Sequence, residues 1–224
     1  MKVVSVYGDS ILKLVLEENG HYRSDRRIER AAEAELGIRI ENRSYFGSTA
    51  GKALLRMRRD RENGKDFGSL CVIEFGGNDT GYRWNETAAD PNRPHRPAAE
   101  PAEFQRQLGD LAACAAETGA QPVLSNLPPM DCEAYFRWIT RRLPSPEPVL
   151  RWLGSPEKLA AMNEAYSTLC EETAAERKLP LLDLRSPFLE AGPISRLMCS
   201  DGVHPNAAGQ DCLLEAVRRF ARGR

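Results

Sequence analysis

Val3-Val4-Ser5-Val6-Tyr7-Gly8-Asp9-Ser10 opens the chain with a short apolar run that stops at a glycine turn. Such a run, bounded by a breaker, reads as a buried strand. The same pattern recurs at residues 38–41, 70–75, 121–127 and 179–184, the second of these ended by Gly76-Gly77. Helical segments fill the intervals. One opens at Ser10 and runs through Ile11, Leu12 and Leu14. Others cover 23–36 (closed by Gly37), 49–62 (closed by Asn63-Gly64), 102–117, 156–177 and 206–221. Strands that alternate with helices and carry little polar alternation fit a parallel sheet covered on both faces. The expected fold is therefore a three-layer α/β/α sandwich with about five parallel strands.

Functional groups in such sheets gather beyond the carboxyl ends of the strands. Gly8-Asp9-Ser10 follows the first strand, the segment from Asn42 to Gly47 the second, and Gly76-Gly77-Asn78-Asp79 the third. Leu127-Pro128-Pro129 follows the fourth, so all these unusual segments fall on one edge. Two stretches interrupt the pattern, near 80–101 and 130–156. Both are rich in proline and hold Trp84, Tyr135, Phe136, Trp138 and Trp152, aromatics that need somewhere to pack. They read as ordered loops or short helices walling the sheet edge.

The 224 residues carry 31 Lys+Arg against 32 Asp+Glu, a net charge of -1, which argues against a general nucleic-acid binder. No apolar run approaches the ~18 residues that span a bilayer. Residues 3–7 are too few for the apolar region of a signal peptide. The six cysteines contain no Cys-x-x-Cys pair, and a chain this size needs no disulfides, so they are expected reduced and mostly buried in a cytoplasmic protein.

Base candidates are few. His21 sits among polar residues and reads as a surface residue, and His95, between Pro94 and Arg96, is placed to rim a pocket. His204 ends Asp201-Gly202-Val203-His204, where the aspartate can curl back across the glycine to accept an imidazole proton. Ser10 stands where a strand gives way to a helix start. Its oxygen would be exposed there and its backbone N–H unspent. Capping of that helix by Asp9 or Ser10 is the simpler structural role. Asn78 and Gly47 offer further donors for a developing oxyanion on the same edge. Asp9 is expected to bond backbone or polar neighbours beneath the site, and Asp79 to tie the Gly-Gly-Asn turn.

Gly8-Asp9-Ser10, Gly47, Gly77-Asn78-Asp79 and Asp201-Gly202-Val203-His204-Pro205, in that order, resemble the signature blocks of the SGNH hydrolases, also called the GDSL lipase/esterase family. The resemblance runs from residue 3 to about residue 217. Ile11 replaces the leucine of the family nickname, and Ser44 stands where the second block usually has a glycine. A Gly-x-Ser-x-Gly elbow is absent, which separates the chain from the larger α/β-hydrolase fold. The resemblance implies a flavodoxin-like sandwich and one catalytic domain over 1–224, the stretches near 80–101 and 130–156 being insertions. It makes Ser10 the nucleophile, His204 the general base and then acid, and Asp201 the orienting carboxylate. The N–H groups of Ser10 and Gly47 and the amide of Asn78 would form the oxyanion hole. No metal or organic cofactor is implied.

The expected substrate is a small carboxylic ester with a short, acetyl-type acyl group on a sugar or small alcohol. A lysophospholipase or acyl-thioesterase would use the same centre. Two readings from other classes stand beside it. A metal-dependent phosphoesterase would gather Asp9, Asn78, Asp79 and His204 around divalent ions. A non-catalytic carbohydrate-binding module would use the aromatics as a platform. The arginines from Arg56 to Arg61 read as a solvated helix face, or as an attraction for an anionic substrate.

Overall fold

The computed structural model describes residues 2–223. In chain order its elements begin with β1 (Lys2–Tyr7), β2 (Val15–Glu18), β3 (His21–Ser24), α1 (Arg27–Leu36), β4 (Ile38–Asn42), α2 (Ala50–Glu62) and β5 (Leu70–Ile73). The middle of the chain gives α3 (Trp84–Ala89), α4 (Pro101–Ala116), β6 (Gln121–Ser125), α5 (Cys132–Thr140) and α6 (Glu147–Leu153). The remainder gives α7 (Glu157–Glu176), β7 (Leu181–Leu182), α8 (Ser186–Ala191), a 3-10 turn (Ile194–Arg196) and α9 (Ala207–Arg222).

Among the described residues the main sheet is five-stranded and parallel, in the order β4-β1-β5-β6-β7. Counted within the sheet this is 2-1-3-4-5, the flavodoxin-like order, so the strand order reverses between β1 and β5 and opens a crevice at their carboxyl ends. Alternation along β1 divides the core. Val4 and Val6 face one side with Ile28 and Ala32 of α1, Phe188 of α8 and Leu213 and Leu214 of α9. Tyr7, with Cys71 and Ile73 of β5, faces the other, with Met57 of α2, Leu108 and Leu111 of α4 and Tyr166 of α7. The expected three-layer sandwich is what forms.

The two proline-rich stretches fold into α3, α5 and α6. Val149, Leu153 and Leu159 form a separate apolar cluster there, against which Trp84, Tyr135, Phe136 and Trp152 pack. Trp84 and Tyr135 from this cluster line the cleft, and the stretches form short helices along its wall.

The helix expected from Ser10 does not form. A single turn closes with the Lys13 N–H on the Asp9 carbonyl at 3.0 Å, then Leu14 turns left-handed at φ 57°. Val15–Glu18 instead pairs antiparallel with His21–Ser24 through Asn19 (φ 54°) and Gly20 (φ 80°). Asn-Gly with both residues at positive φ is the turn that matches the twist of a two-residue hairpin. For the same reason α1 starts at Arg27, since Arg23 and Ser24 belong to β3. The last strand is also shorter than expected, because only Leu181 and Leu182 pair with β6.

Candidate active site

Gly8 makes the first turn possible. A Cβ there would meet Glu74 Oε2 and the Leu12 Cβ at 3.0 Å and Ser44 Oγ at 3.1 Å, so a side chain would push against three packed neighbours. The turn leaves Ser10 only 7% exposed and aims its hydroxyl at His204, with Oγ 2.9 Å from Nε2. On the other side of the ring, Nδ1 is 2.5 Å from Asp201 Oδ2. The second carboxylate oxygen, Oδ1, accepts the backbone N–H groups of Val203 and His204, both at 3.1 Å. Burial pushes the Asp201 carboxyl up, but the bonds from the His204 ring and from these N–H groups outweigh it and hold it below its ordinary value. Gly202, at φ 78°, lets this loop press against α5, because a Cβ would lie 2.4 Å from the Asp131 carbonyl oxygen. Asn206 then caps α9 by accepting the N–H groups of Ala208 and Gly209.

The oxyanion side is built from two other loops. The backbone N–H groups of Ser10 and Gly47 donate to no group among the described residues, and both residues line the same cavity as His204. Gly47 sits at φ 68° with open space where a Cβ would lie. The Asn78 amide differs from expectation in one respect. Its Nδ2 donates to Asp9 Oδ2 at 2.8 Å and to the Ser48 carbonyl at 3.2 Å, so both hydrogens are engaged in the resting site. The longer bond is the one an incoming oxyanion would replace, since a charged acceptor is the stronger.

Asp9 and Asp79 lie beneath these donors. Asp9 Oδ1 accepts the Ile11 N–H at 2.8 Å, its other oxygen holds Asn78, and its own N–H donates to Glu74 Oε2 at 3.2 Å. Asp79 accepts the Ala50 N–H at the start of α2, and burial pushes its carboxyl up to about 7. It thus pins the loop carrying Gly47 to the turn carrying Asn78. Among the described residues no three His, Cys, Asp or Glu side chains converge into a set able to hold a metal ion.

Several contributors escaped the sequence. Tyr22, on the unexpected hairpin, sets its ring edge against His204 at 5.2 Å between centroids and donates its hydroxyl to Asp201 Oδ2 at 3.3 Å. Phe46 stacks on the same imidazole at 5.8 Å and 12°. Glu74, fully buried one residue past β5, lies under Asp9. An Asn-Gly turn could have revealed the hairpin, but nothing in sequence spacing pairs Glu74 with Asp9. Arg56 also departs from the solvated face assigned to it. It lies 4.4 Å from the Tyr45 ring centre and donates to Ser48 Oγ at 2.7 Å, bracing the loop around Gly47. His21 is on the surface as expected. His95 lines a neighbouring groove, bonded to the Asp90 carbonyl.

The cavity over Ser10 has a volume of about 130 Å³ and an apolar far wall that includes Trp84, Leu127, Met130, Leu159 and Met162. A polar groove of about 910 Å³ adjoins it at Asn78 and Gly81 and is lined by Tyr82, Arg83, Arg93 and His95.

A family model for GDSL-like lipase/acylhydrolases matches residues 6–212. Esterase TesA of Pseudomonas aeruginosa is 29% identical over 191 residues, covering 84% of this chain and 72% of that protein. Among solved structures, a lipase/acylhydrolase from Enterococcus faecalis superposes with a TM-score of 0.69 at 19% identity, covering 100% of this chain and 97% of that one. An acetylxylan esterase from Geobacillus stearothermophilus gives 0.65 at 18% identity, with 98% and 93% covered. Both solved structures share the fold at low identity. The family match extends over nearly the whole chain, and the chain accordingly belongs to the GDSL-like lipase/acylhydrolase family, the SGNH hydrolases, and is an ester hydrolase of that class.

Proposed function

We propose that the protein is a serine esterase that removes short, acetyl-type acyl groups from a sugar or small alcohol through an acyl-enzyme on Ser10. The observation that carries this reading is the unbroken chain from Ser10 Oγ through the His204 ring to the buried Asp201 carboxylate, at 2.9 and 2.5 Å. Ser10 Oγ attacks the ester carbonyl carbon while Nε2 takes its proton, and Asp201 steadies the imidazolium. The N–H groups of Ser10 and Gly47 and the Asn78 amide hold the oxyanion as Ser48 gives up its bond to Asn78. The alcohol departs with the proton from His204. Water activated by the same nitrogen then cleaves the acyl-serine, and the acid leaves.

The dimensions of the cleft support a short acyl group. An apolar cavity of about 150 Å³ admits benzene, and the space of about 130 Å³ over Ser10 is of the same order, which favours acyl groups of a few carbons. The groove beside it, with guanidinium, phenol and imidazole groups, suits a hydroxyl-rich alcohol. We read the chain as one catalytic domain whose insertions wall this cleft. The six free cysteines favour a reducing, cytoplasmic compartment. No helix among the described residues is long and apolar enough to cross a membrane.

The test is a series of p-nitrophenyl esters of rising chain length, with acetylated sugars and acyl thioesters as further arms, run on wild type and Ser10→Ala. We expect kcat/KM to fall beyond about six acyl carbons, and Ser10→Ala to lose nearly all turnover with an unchanged circular dichroism spectrum. Full activity in Ser10→Ala refutes the nucleophile. A preference for long chains or thioesters refutes the substrate class.

A further inference from the structure

Glu74 is 0% exposed, and its Oε2 accepts the backbone N–H of Asp9 at 3.2 Å, so its carboxyl group lies beside that second buried acid. Two carboxylates this close in a dry interior repel, and one proton between them removes the repulsion. Donors decide where it resides. Both Asp9 oxygens already accept N–H groups, from Ile11 and Asn78, as an anion does. Glu74 Oε2 accepts the Asp9 N–H, while Oε1 is sealed from solvent and meets no donor. An acceptor left bare in the interior is unfavourable, whereas a protonated oxygen facing a carboxylate is satisfied. The hydrogen therefore belongs on Glu74. Burial and the neighbouring charge of Asp9 act in the same direction, keeping the Glu74 carboxyl neutral well above its ordinary range.

Asp9 in turn holds the Asn78 amide at 2.8 Å, so the three side chains form one line from the sheet interior to the oxyanion site. We propose that Glu74 is a positioning residue, a neutral acid that donates to Asp9 and so fixes the Asn78 amide for the oxyanion. The inference rests on the Ser10 mechanism above. Without the proton, two carboxylates would repel in a dry interior, Asp9 would shift, and Asn78 would lose its anchor while Ser10, His204 and Asp201 stayed in place.

The experiment compares wild type, Glu74→Leu and Glu74→Gln for kcat and KM on p-nitrophenyl acetate, inhibition by methylboronic acid, and covalent labelling of Ser10 by a fluorophosphonate. Loss of one oxyanion donor typically lowers kcat by 10²–10³. We expect Glu74→Leu to lose about 100-fold in kcat with KM within about twofold, and boronate binding to weaken in parallel. Glu74→Gln, which still offers a hydrogen to Asp9, should recover about tenfold of that loss. A folded Glu74→Leu with wild-type kcat overturns the proposal, as does a loss confined to KM. If Glu74→Leu does not fold, a Glu74→Gln with reduced kcat, unchanged KM and weakened boronate binding supports the proposal, and unweakened binding overturns it. Wild type that turns over without labelling at Ser10 overturns the underlying mechanism, whereas labelled wild type beside an equally active Glu74→Leu overturns this inference alone.

Discussion

Tyr22 reaches Asp201 from outside the main sheet and shares an acceptor with His204, since its hydroxyl and the ring Nδ1 both bond Oδ2. Burial and the Asp201 charge push the phenol above its ordinary range, so it stays a donor. This bond helps to fix the carboxylate that orients the His204 ring. At 3.3 Å the phenol contributes the low end of the usual range, about 0.5 kcal/mol. Tyr22→Phe keeps the ring and removes this bond. We expect its kcat/KM to fall by about twofold, the rate equivalent of that energy, and a value equal to wild type would remove Tyr22 from the site. At this scale the sequence was informative where chemistry sits on glycine-marked turns: Ser10, Gly47, Asn78 and His204 line one cleft, with Asp201 buried behind the His204 ring. Tyr22, Phe46 and Glu74 were not legible, because each acts on a residue far away in sequence through a contact that only the folded chain creates.

Among the elements, the β2–β3 hairpin has the most local cause. Asn19 and Gly20 both require positive φ, which a β-branched residue adopts only under strain of about 1–2 kcal/mol. Gly20→Val is expected to fray the hairpin tip, withdraw Tyr22 and lower kcat/KM by about fivefold, the rate equivalent of about 1 kcal/mol. The thermal midpoint should move little, since the tip residues Glu18 and His21 are exposed. A large fall in midpoint with unchanged kcat/KM would show that the hairpin serves the fold and not the site. Helices α2, α4 and α9 were readable because their amphipathic faces coincide with clear stops and caps: Thr49 and Asn206 at the starts of α2 and α9, Gly119 after α4. The stretch after Ser10 misled, since Ile11, Leu12 and Leu14 are apolar in either a helix or a turn leading to a strand. Only the Asn-Gly pair downstream distinguishes the two.

Over the whole molecule, buried carboxylates set how stability varies with pH. Asp79 has an ordinary value near 3.8 and is pushed up to about 7 by burial, so the folded state holds its proton longer than the unfolded chain does. A raised carboxyl contributes stability below its unfolded value, and that contribution is lost as pH rises from about 4 through about 7. Asp201, held low by His204, acts with the opposite sign and is lost as pH falls. Asp79→Asn keeps an oxygen for the Ala50 N–H and abolishes the first contribution. Thermal midpoints measured from pH 4 to 8 should therefore decline less in the variant than in wild type across this window. Parallel curves would place the Asp79 carboxyl at its ordinary value. The sheet order itself could be foreseen only as a class, because short apolar strands specify burial on both faces and leave their neighbours unspecified.

Ser10 and His204 stand 194 residues apart. During synthesis the nucleophile leaves the ribosome 194 residues ahead of its base, with α9 following as the lock on the base. A nascent chain thus carries a serine with nothing to activate it until His204 has been made and docked. Any truncation upstream of His204 therefore leaves Ser10 without its base and yields a silent product.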